Sequence, residues 1–309
     1  MKHLLNLRET SREDILYLLD SARALKEILS RPVKKVPTLR GRAMITLFYE
    51  NSTRTRSSFE MAAKIMSAEA INIAVAQSSV AKGESLKDTL LTLQSLKADC
   101  IVMRHPVSGA AEFAADKLHI PIVNAGDGRH EHPTQGLLDL FTILQYKGEI
   151  AGKTVAIVGD ITHSRVARSN IWGLTKLGAT VRLVAPRTLL PIDADKLPVT
   201  ICDTLKEGLE GADVVNVLRL QTERQERGLL PSLREYSKLF GVTPATLKFA
   251  KPDVLVMHPG PMNRGIEISA DAADGKYGIH SAIEEQVTNG VAVRMAVLYT
   301  LMGGKEGLE

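Results

Sequence analysis

Residues 48–60 read FYENSTRTRSSFE. Three hydroxyls and two guanidiniums fill Ser52 to Arg56, at the point where the apolar run Ala43–Tyr49 gives way to helical spacing. The pattern predicts a strand, a tight turn and a helix. The first turn of a helix has unpaired N–H groups and a partial positive charge. Hydroxyls and a guanidinium fork added there make a cradle for a phosphate dianion. The plainer reading is an N-cap at Ser52 or Thr53 followed by a solvated basic helix face. The density of donors within one turn favours the cradle. The stretch lacks G-x-x-x-x-G-K, so it is not a nucleotide P-loop.

The rest of the chain extends this unit. Its 309 residues suffice for two domains, and 44% are hydrophobic. A mean hydropathy of −0.01 is that of an ordinary globular protein. The net charge of +4 is spread along the chain, which suits small anions better than a duplex. Aromatic residues make up only 4%, too few for a base-stacking platform. Cys100 and Cys202 both lie in apolar runs and lack zinc-site spacing, so we expect buried reduced thiols and no metal. No secretory leader pattern and no apolar run of spanning length is present, so the expected compartment is the cytoplasm, with no membrane partner.

Thr10-x-x-Glu13 reads as a capping box for an amphipathic helix over roughly 11–30. Strands are expected at 43–49, 70–75, 99–103 and 121–124, with helices at 53–67, 85–97, 109–118 and 134–147. Gly148–Lys153 reads as a boundary. A second series of strands follows near 154–159, 180–185, 199–202, 213–218 and 253–257. Alternating strands and helices imply two three-layer α/β domains with central parallel sheets. The domains are 1–148 and 149–284, with a last helix at about 285–305 packing back on the first. Its apolar stripe is Ile283, Val287, Val291, Met295, Leu298 and Met302. Val155–Asp160 suggests a dinucleotide fold, but the G-x-G-x-x-G glycines are missing, so no dinucleotide is expected. Residues 220–244 read as a polar loop in the position of a closing lid.

Polar motifs cluster at expected strand ends, where open α/β sheets bind ligands. Met103-Arg104-His105-Pro106 follows one strand and Asn124–Gly128 another; His132-Pro133-Thr134-Gln135 opens the next helix. His132 and Gln135 can donate to one carbonyl oxygen. Lys82 lies in the loop Ser78–Ser85 and offers a mobile point charge. Arg165 and Arg219 suit a dicarboxylate, each forking onto one carboxylate. His258-Pro259-Gly260-Pro261 fixes a turn whose carbonyls can meet an amide NH₂.

Taken together, FYENSTRTRSSFE, KGES, MRHP, HPTQ, VGD followed by SR, LRLQTER and HPGP resemble the catalytic chains of the aspartate carbamoyltransferases, in order and spacing, over essentially the whole length. STRTR alone is shared with ornithine carbamoyltransferases. The resemblance implies a homotrimer, no metal and no organic cofactor. It also implies carbamoyl transfer from carbamoyl phosphate to L-aspartate, an early step of pyrimidine synthesis. By resemblance, Ser52, Thr53, Arg54 and Thr55 hold the phosphate. Arg104, His132 and Thr55 contact the carbamoyl oxygen. Gln135 and the backbone carbonyls of Gly260 and Pro261 orient the carbamoyl NH₂. Arg165 and Arg219 bind the aspartate carboxylates, with Gln221 nearby, and Lys82 with Ser78 enters from a neighbouring subunit. A regulatory chain or a pathway enzyme as further partner is left open.

No residue offers itself as a covalent nucleophile, so transfer is expected to be direct. His132 is expected to donate as a neutral ring, since Arg54 and Arg104 disfavour another cation. The nearest rival, an ornithine carbamoyltransferase, accepts a cationic amino acid and usually carries H-C-L-P and D-x-x-x-S-M. This chain has HPGP and no D-x-x-x-S-M. A non-catalytic relative on the same fold would have lost charged site residues, and these are present. Nucleic-acid binding is disfavoured by the scatter of the basic residues.

Overall fold

The computed structural model describes residues 1–74, 83–221 and 229–303. They form two compact units, one of residues 1–138 with the last helix from Val287, the other Asp139–Gln286. In chain order the first unit holds α1 (Arg12–Lys26), β1 (Ala43–Phe48), α2 (Thr53–Ile65), β2 (Glu69–Ala74), α3 (Leu86–Ser95), β3 (Cys100–His105), α4 (Ala110–Lys117) and β4 (Ile122–Asp127). Helix α5 (Pro133–Lys147) leads into the second unit. There follow β5 (Thr154–Val158), α6 (Arg165–Lys176), β6 (Thr180–Val184), β7 (Thr200–Cys202), α7 (Leu205–Leu209), β8 (Val214–Val217), α8 (Leu233–Phe240), α9 (Pro244–Leu247), β9 (Leu255–Met257), α10 (Ala270–Ala273) and β10 (His280–Ser281). Helix α11 (Ile283–Met302) returns the chain to the first unit.

The first sheet has the order β2-β1-β3-β4 and the second β10-β9-β8-β5-β6-β7. Every strand pair is parallel. In both sheets the chain builds outward in one direction, then jumps back and builds outward in the other. The reversal falls between β1 and β3 in the first sheet and between β5 and β8 in the second. Strands covered on both faces read as continuous apolar runs. Accordingly Ile45, Leu47, Ile101 and Ile122 are fully buried and pack with Leu90 and Leu93 of α3 and Ala110 and Ala114 of α4. Cys100 and Cys202 are buried free thiols. Burial pushes the Cys100 thiol up to about 12.

Several local expectations shift. Helix α1 is capped by Ser11, whose Oγ accepts from Asp14 N at 3.0 Å. Thr10 instead donates its hydroxyl to Asn6 O at 2.5 Å, so the cap lies one residue later than the sequence pattern suggested. Strands β3 and β4 run on through His105 and Asp127, because Arg104 stays in register with Phe48 and Asp127 with His105. The stretch read as a polar loop contains α8, started by Ser232 with its Oγ accepting from Glu235 N; residues 222–228 lie outside the described residues. In α11 the burial is not a stripe. Residues 292–298 are buried all round, whereas Val287 is 56% exposed. Arg294 among them stacks its guanidinium 5.1 Å from the Phe59 ring of α2, a cation–π contact inside the first unit.

The two units divide inside α5, earlier than the Gly148–Lys153 break. Asp139 supplies the reason. Its carboxylate accepts from Asn170 Nδ2 of α6 at 2.7 Å, Asn216 Nδ2 of β8 at 3.3 Å and Gln286 Nε2 of α11 at 2.8 Å. All four residues are buried. Three amides on one buried carboxylate tie the later turns of α5 to the second sheet. Lys147, at the end of α5, also pairs with Asp253 at 2.8 Å. Asp139→Asn turns an NH₂ toward these donors and should cost about 2–3 kcal/mol, lowering the thermal midpoint by roughly 4–12 °C. A scan showing the parent midpoint would contradict the role given to this carboxylate.

Candidate active site

The first unit presents its polar groups where its strand order reverses, at the ends of β1 and β3. Ser52 occupies the cap position of α2, yet its side chain makes no capping bond, and the first turn holds no acid. The contrast with α1, α3 and α8 is direct. Each of these is capped by a serine and carries an acid in its first turn. Helix α2 therefore opens with neither a side-chain cap nor an acid to offset the partial positive charge of its N-terminus. The two arginines of the stretch part company. Arg56 turns toward Glu60 at 3.8 Å along the helix flank, while Arg54 is exposed. Thr55 is buried and points inward, its Oγ1 3.5 Å from His132 Nε2.

Arg104 is held rather than free to wander. Its Nε donates to Glu50 Oε2 at 3.2 Å and its Nη1 to Ala125 O at 3.3 Å. His132 sits at the start of α5, where its carbonyl accepts from the N–H groups of Gln135 and Gly136. Pro133 at the first helical position fits because its missing N–H would be unpaired there anyway. The approach to His132 is braced by two acids. Asp127 accepts from Asn124 Nδ2 and Gly109 N at 2.7 Å each and from Glu131 N at 3.2 Å. Glu131 in turn accepts from Leu7 N and Arg8 N. Burial works to raise the Asp127 carboxyl, but bonds from His130, Asn124 and Gly109 outweigh it and hold it below the usual range. His130 is raised, chiefly by its bond to Asp127 at 3.0 Å.

The second unit repeats the arrangement at the ends of β5 and β8. Gly159 follows β5 with φ +131°, and a Cβ there would lie 2.8 Å from Leu218 O. Only glycine lets the two strand extensions approach so closely. Beyond it, the buried Asp160 accepts from His163 N at 3.2 Å and bonds His163 Nδ1 at 2.7 Å. Ser164 caps α6 by accepting from Ala167 N, again with no acid in the first turn, and Arg165 opens the helix in a buried position. Gln221 donates Nε2–H to His163 O at 3.0 Å, which binds the Arg219–Gln221 segment to the Arg165 turn. The Gly260–Pro261 turn, whose peptide bond is cis, joins them through Asn263 Nδ2, 3.3 Å from Leu220 O. Ser78 and Lys82 lie outside the described residues. Among the described residues no group of three or more His, Cys, Asp or Glu side chains could hold a metal ion, and no helix is long and apolar enough to cross a membrane.

Comparison with known proteins gives this geometry a context. Residues 2–145 match the family described as "Aspartate/ornithine carbamoyltransferase, carbamoyl-P binding domain", and residues 151–301 match its "Asp/Orn binding domain". The chain belongs to the aspartate/ornithine carbamoyltransferase family. It is 60% identical to the aspartate carbamoyltransferase catalytic subunit of Desulforamulus reducens, over 98% of this chain and 96% of that one. It is 58% identical to that of Pelotomaculum thermopropionicum, over 98% and 97%. Among solved structures it resembles the aspartate transcarbamoylase of Trypanosoma cruzi in complex with carbamoyl aspartate and phosphate. There the TM-score is 0.89 at 34% identity, covering 97% and 96% of the two chains. The ornithine carbamoyltransferase of Pyrococcus furiosus gives a TM-score of 0.85 at 29% identity, covering 98% and 97%.

Within this carbamoyltransferase framework, sequence reading missed the groups that hold the cations and turns in place. Glu50 lay inside the decisive stretch and Asp160 inside VGD, but nothing in their spacing named Arg104 and His163 as partners. The partners of Asp127, Glu131, His258 and Glu267 are likewise known only from the folded chain. The His130–Asp127 pair gives a test. A raised histidine stabilises fully below its unfolded pKa of 6.5 and loses that contribution as pH rises through the higher folded value. A depressed aspartate contributes above 3.8 and loses its share as pH falls through the lower folded value. His130→Asn should therefore cost about 1 kcal/mol, or roughly 2–4 °C, near pH 5.5, and much less at pH 9. A penalty that grows with pH in thermal scans would contradict the assignment.

Proposed function

We propose that this chain catalyses transfer of the carbamoyl group of carbamoyl phosphate to the amine of L-aspartate, forming N-carbamoyl-L-aspartate and phosphate. The observation that carries the choice of acceptor is the tie between the Arg165 and Arg219 turns through Gln221 and His163 O. Two guanidiniums brought to neighbouring strand ends suit a dicarboxylate and repel the side-chain ammonium of ornithine.

The roles follow the chemistry. Ser52, Thr53, Arg54 and Thr55 hold the phosphate at the uncapped start of α2. Amine attack builds negative charge on the carbamoyl oxygen, which Thr55, Arg104 and His132 stabilise; removal of one such donor typically costs about 10²–10³ in rate. Gln135 and the carbonyls of Gly260 and Pro261 fix the carbamoyl NH₂. Holding the amine against the carbonyl carbon supplies roughly 7–11 kcal/mol more. The C–N bond forms as the C–O bond to phosphate breaks, without a covalent enzyme intermediate, and the departing phosphate takes the amine proton. The working form in this proposal is a cytoplasmic homotrimer serving pyrimidine synthesis, with Lys82 and Ser78 completing the site of a neighbouring copy. The uses of Ser78 and Lys82 rest on the family resemblance.

Supplied with carbamoyl phosphate, the protein should carbamoylate aspartate with a kcat/KM roughly 10³-fold or more above that for ornithine. Activity confined to ornithine would overturn the acceptor assignment. Mixing inactive Lys82→Ala chains with inactive Arg54→Ala chains should restore part of the activity; none at all would argue for self-contained sites.

A further inference from the structure

The HPGP turn is governed by a carboxylate that the sequence motif does not include. Glu267 has no exposed surface, and His258 beside it is buried. One oxygen of Glu267, Oε1, meets His258 Nε2 at 3.3 Å and accepts from Asn263 N at 2.5 Å. On the other side of the ring, Gly260 N donates to His258 Nδ1 at 2.8 Å. The two ends of the ring thus have opposite demands. Nδ1 must be an acceptor, so the proton sits on Nε2 and is donated to Glu267. Gln286 completes the frame, its Oε1 accepting from His258 N at 2.9 Å while its Nε2 donates to Asp139.

We propose that Glu267 is a positioning residue for carbamoyl transfer: it fixes the Nε2–H tautomer of His258 and clamps Asn263 N, and so holds the Gly260–Pro261 carbonyls at the setting that orients the carbamoyl NH₂. The inference rests on the function proposed above. Without the carboxylate, the Nδ1–H tautomer becomes accessible, and its hydrogen would confront the N–H of Gly260. The turn would then lose its hold at residues 260 and 263 together. The same loss reaches Leu220, whose carbonyl accepts from the Asn263 side chain. Glu267 touches no reacting atom in this account, and the phosphate cradle in the first unit does not depend on it. Both bonds fall on a single oxygen, so a glutamine at this position keeps them with its amide carbonyl.

The test compares Glu267→Leu and Glu267→Gln with the parent. For the leucine variant we expect kcat/KM for carbamoyl phosphate to fall at least about 30-fold, with the inhibition constant of inorganic phosphate within about threefold of the parent. The glutamine variant should stay within about fivefold of the parent on both measures. Parent-like kinetics in the leucine variant, an equal loss of phosphate affinity, or a glutamine variant as impaired as leucine would each overturn the proposal. Should the leucine chain fail to fold, His258→Asn interrogates the same link. Asparagine can still accept from the N–H two residues on but cannot reach Glu267. It should lower kcat/KM for carbamoyl phosphate more than about tenfold with phosphate inhibition unchanged, and parent-like values would refute the link. Nitrogen-15 NMR of the His258 ring reads the tautomer without any substrate, which separates this inference from the proposed activity. A parent that forms no carbamoyl aspartate defeats the activity, while an Nδ1–H tautomer in the parent defeats the positioning role.

Discussion

Both units obey one constraint: in a parallel sheet whose chain reverses direction, the two strands at the reversal send their following segments apart. A crevice opens at their carboxyl ends, and helix N-termini converge beside it. In the first sheet the reversal lies between β1 and β3, in the second between β5 and β8. Of the residues proposed for phosphate and carbamoyl recognition, Ser52 to Thr55 follow β1 and Arg104 sits at the end of β3, while His132 and Gln135 open α5 after β4 and Gly260 and Pro261 follow β9. Arg165 and Arg219, proposed to grip the acceptor's carboxylates, follow β5 and β8. The glycine after β5 allows the close approach that this geometry demands.

Electrostatics is arranged around that constraint. Helices α2, α5 and α6 open without an acid in the first turn. The acids near the site are instead committed to donors. Asp127 and Asp139 collect amides and N–H groups, Asp160 holds His163, and Glu267 holds His258 and Asn263. A buried carboxylate with several donors is stable and rigid, and one so committed does not neutralise the arginines proposed to bind the substrates. Glu50 is the exception, since it pairs directly with Arg104. That pairing fixes the guanidinium in place, as the donor role proposed for Arg104 requires.

Much of this was legible in the sequence because strand, turn and helix leave local marks. The run from Ala43 to Tyr49 and the hydroxyl-rich turn after it mark β1 and α2 to within a residue or two. Short strands such as β10, and helices of four residues such as α9 and α10, leave no periodic signal long enough to read. Arg104 was expected beyond its strand; pairing with β1 keeps it inside, and such register is a property of partners distant in sequence. The supporting acids were illegible for the same reason. Glu267 and His258 are close in sequence, but their bond depends on a turn whose path no local pattern specifies, and Asp139 gathers partners from α6, β8 and α11.

The central proposal is that two anion-recognition sets, one in each unit, serve a single reaction. Calorimetric titration with N-(phosphonacetyl)-L-aspartate, which joins a phosphonate to an aspartate, tests it most directly. The account predicts one molecule bound per chain, far more tightly than phosphate or aspartate alone, with Arg54→Ala and Arg219→Ala each weakening binding by about 30-fold or more. Binding no tighter than that of the separate halves, or affected by only one of the two substitutions, would contradict it.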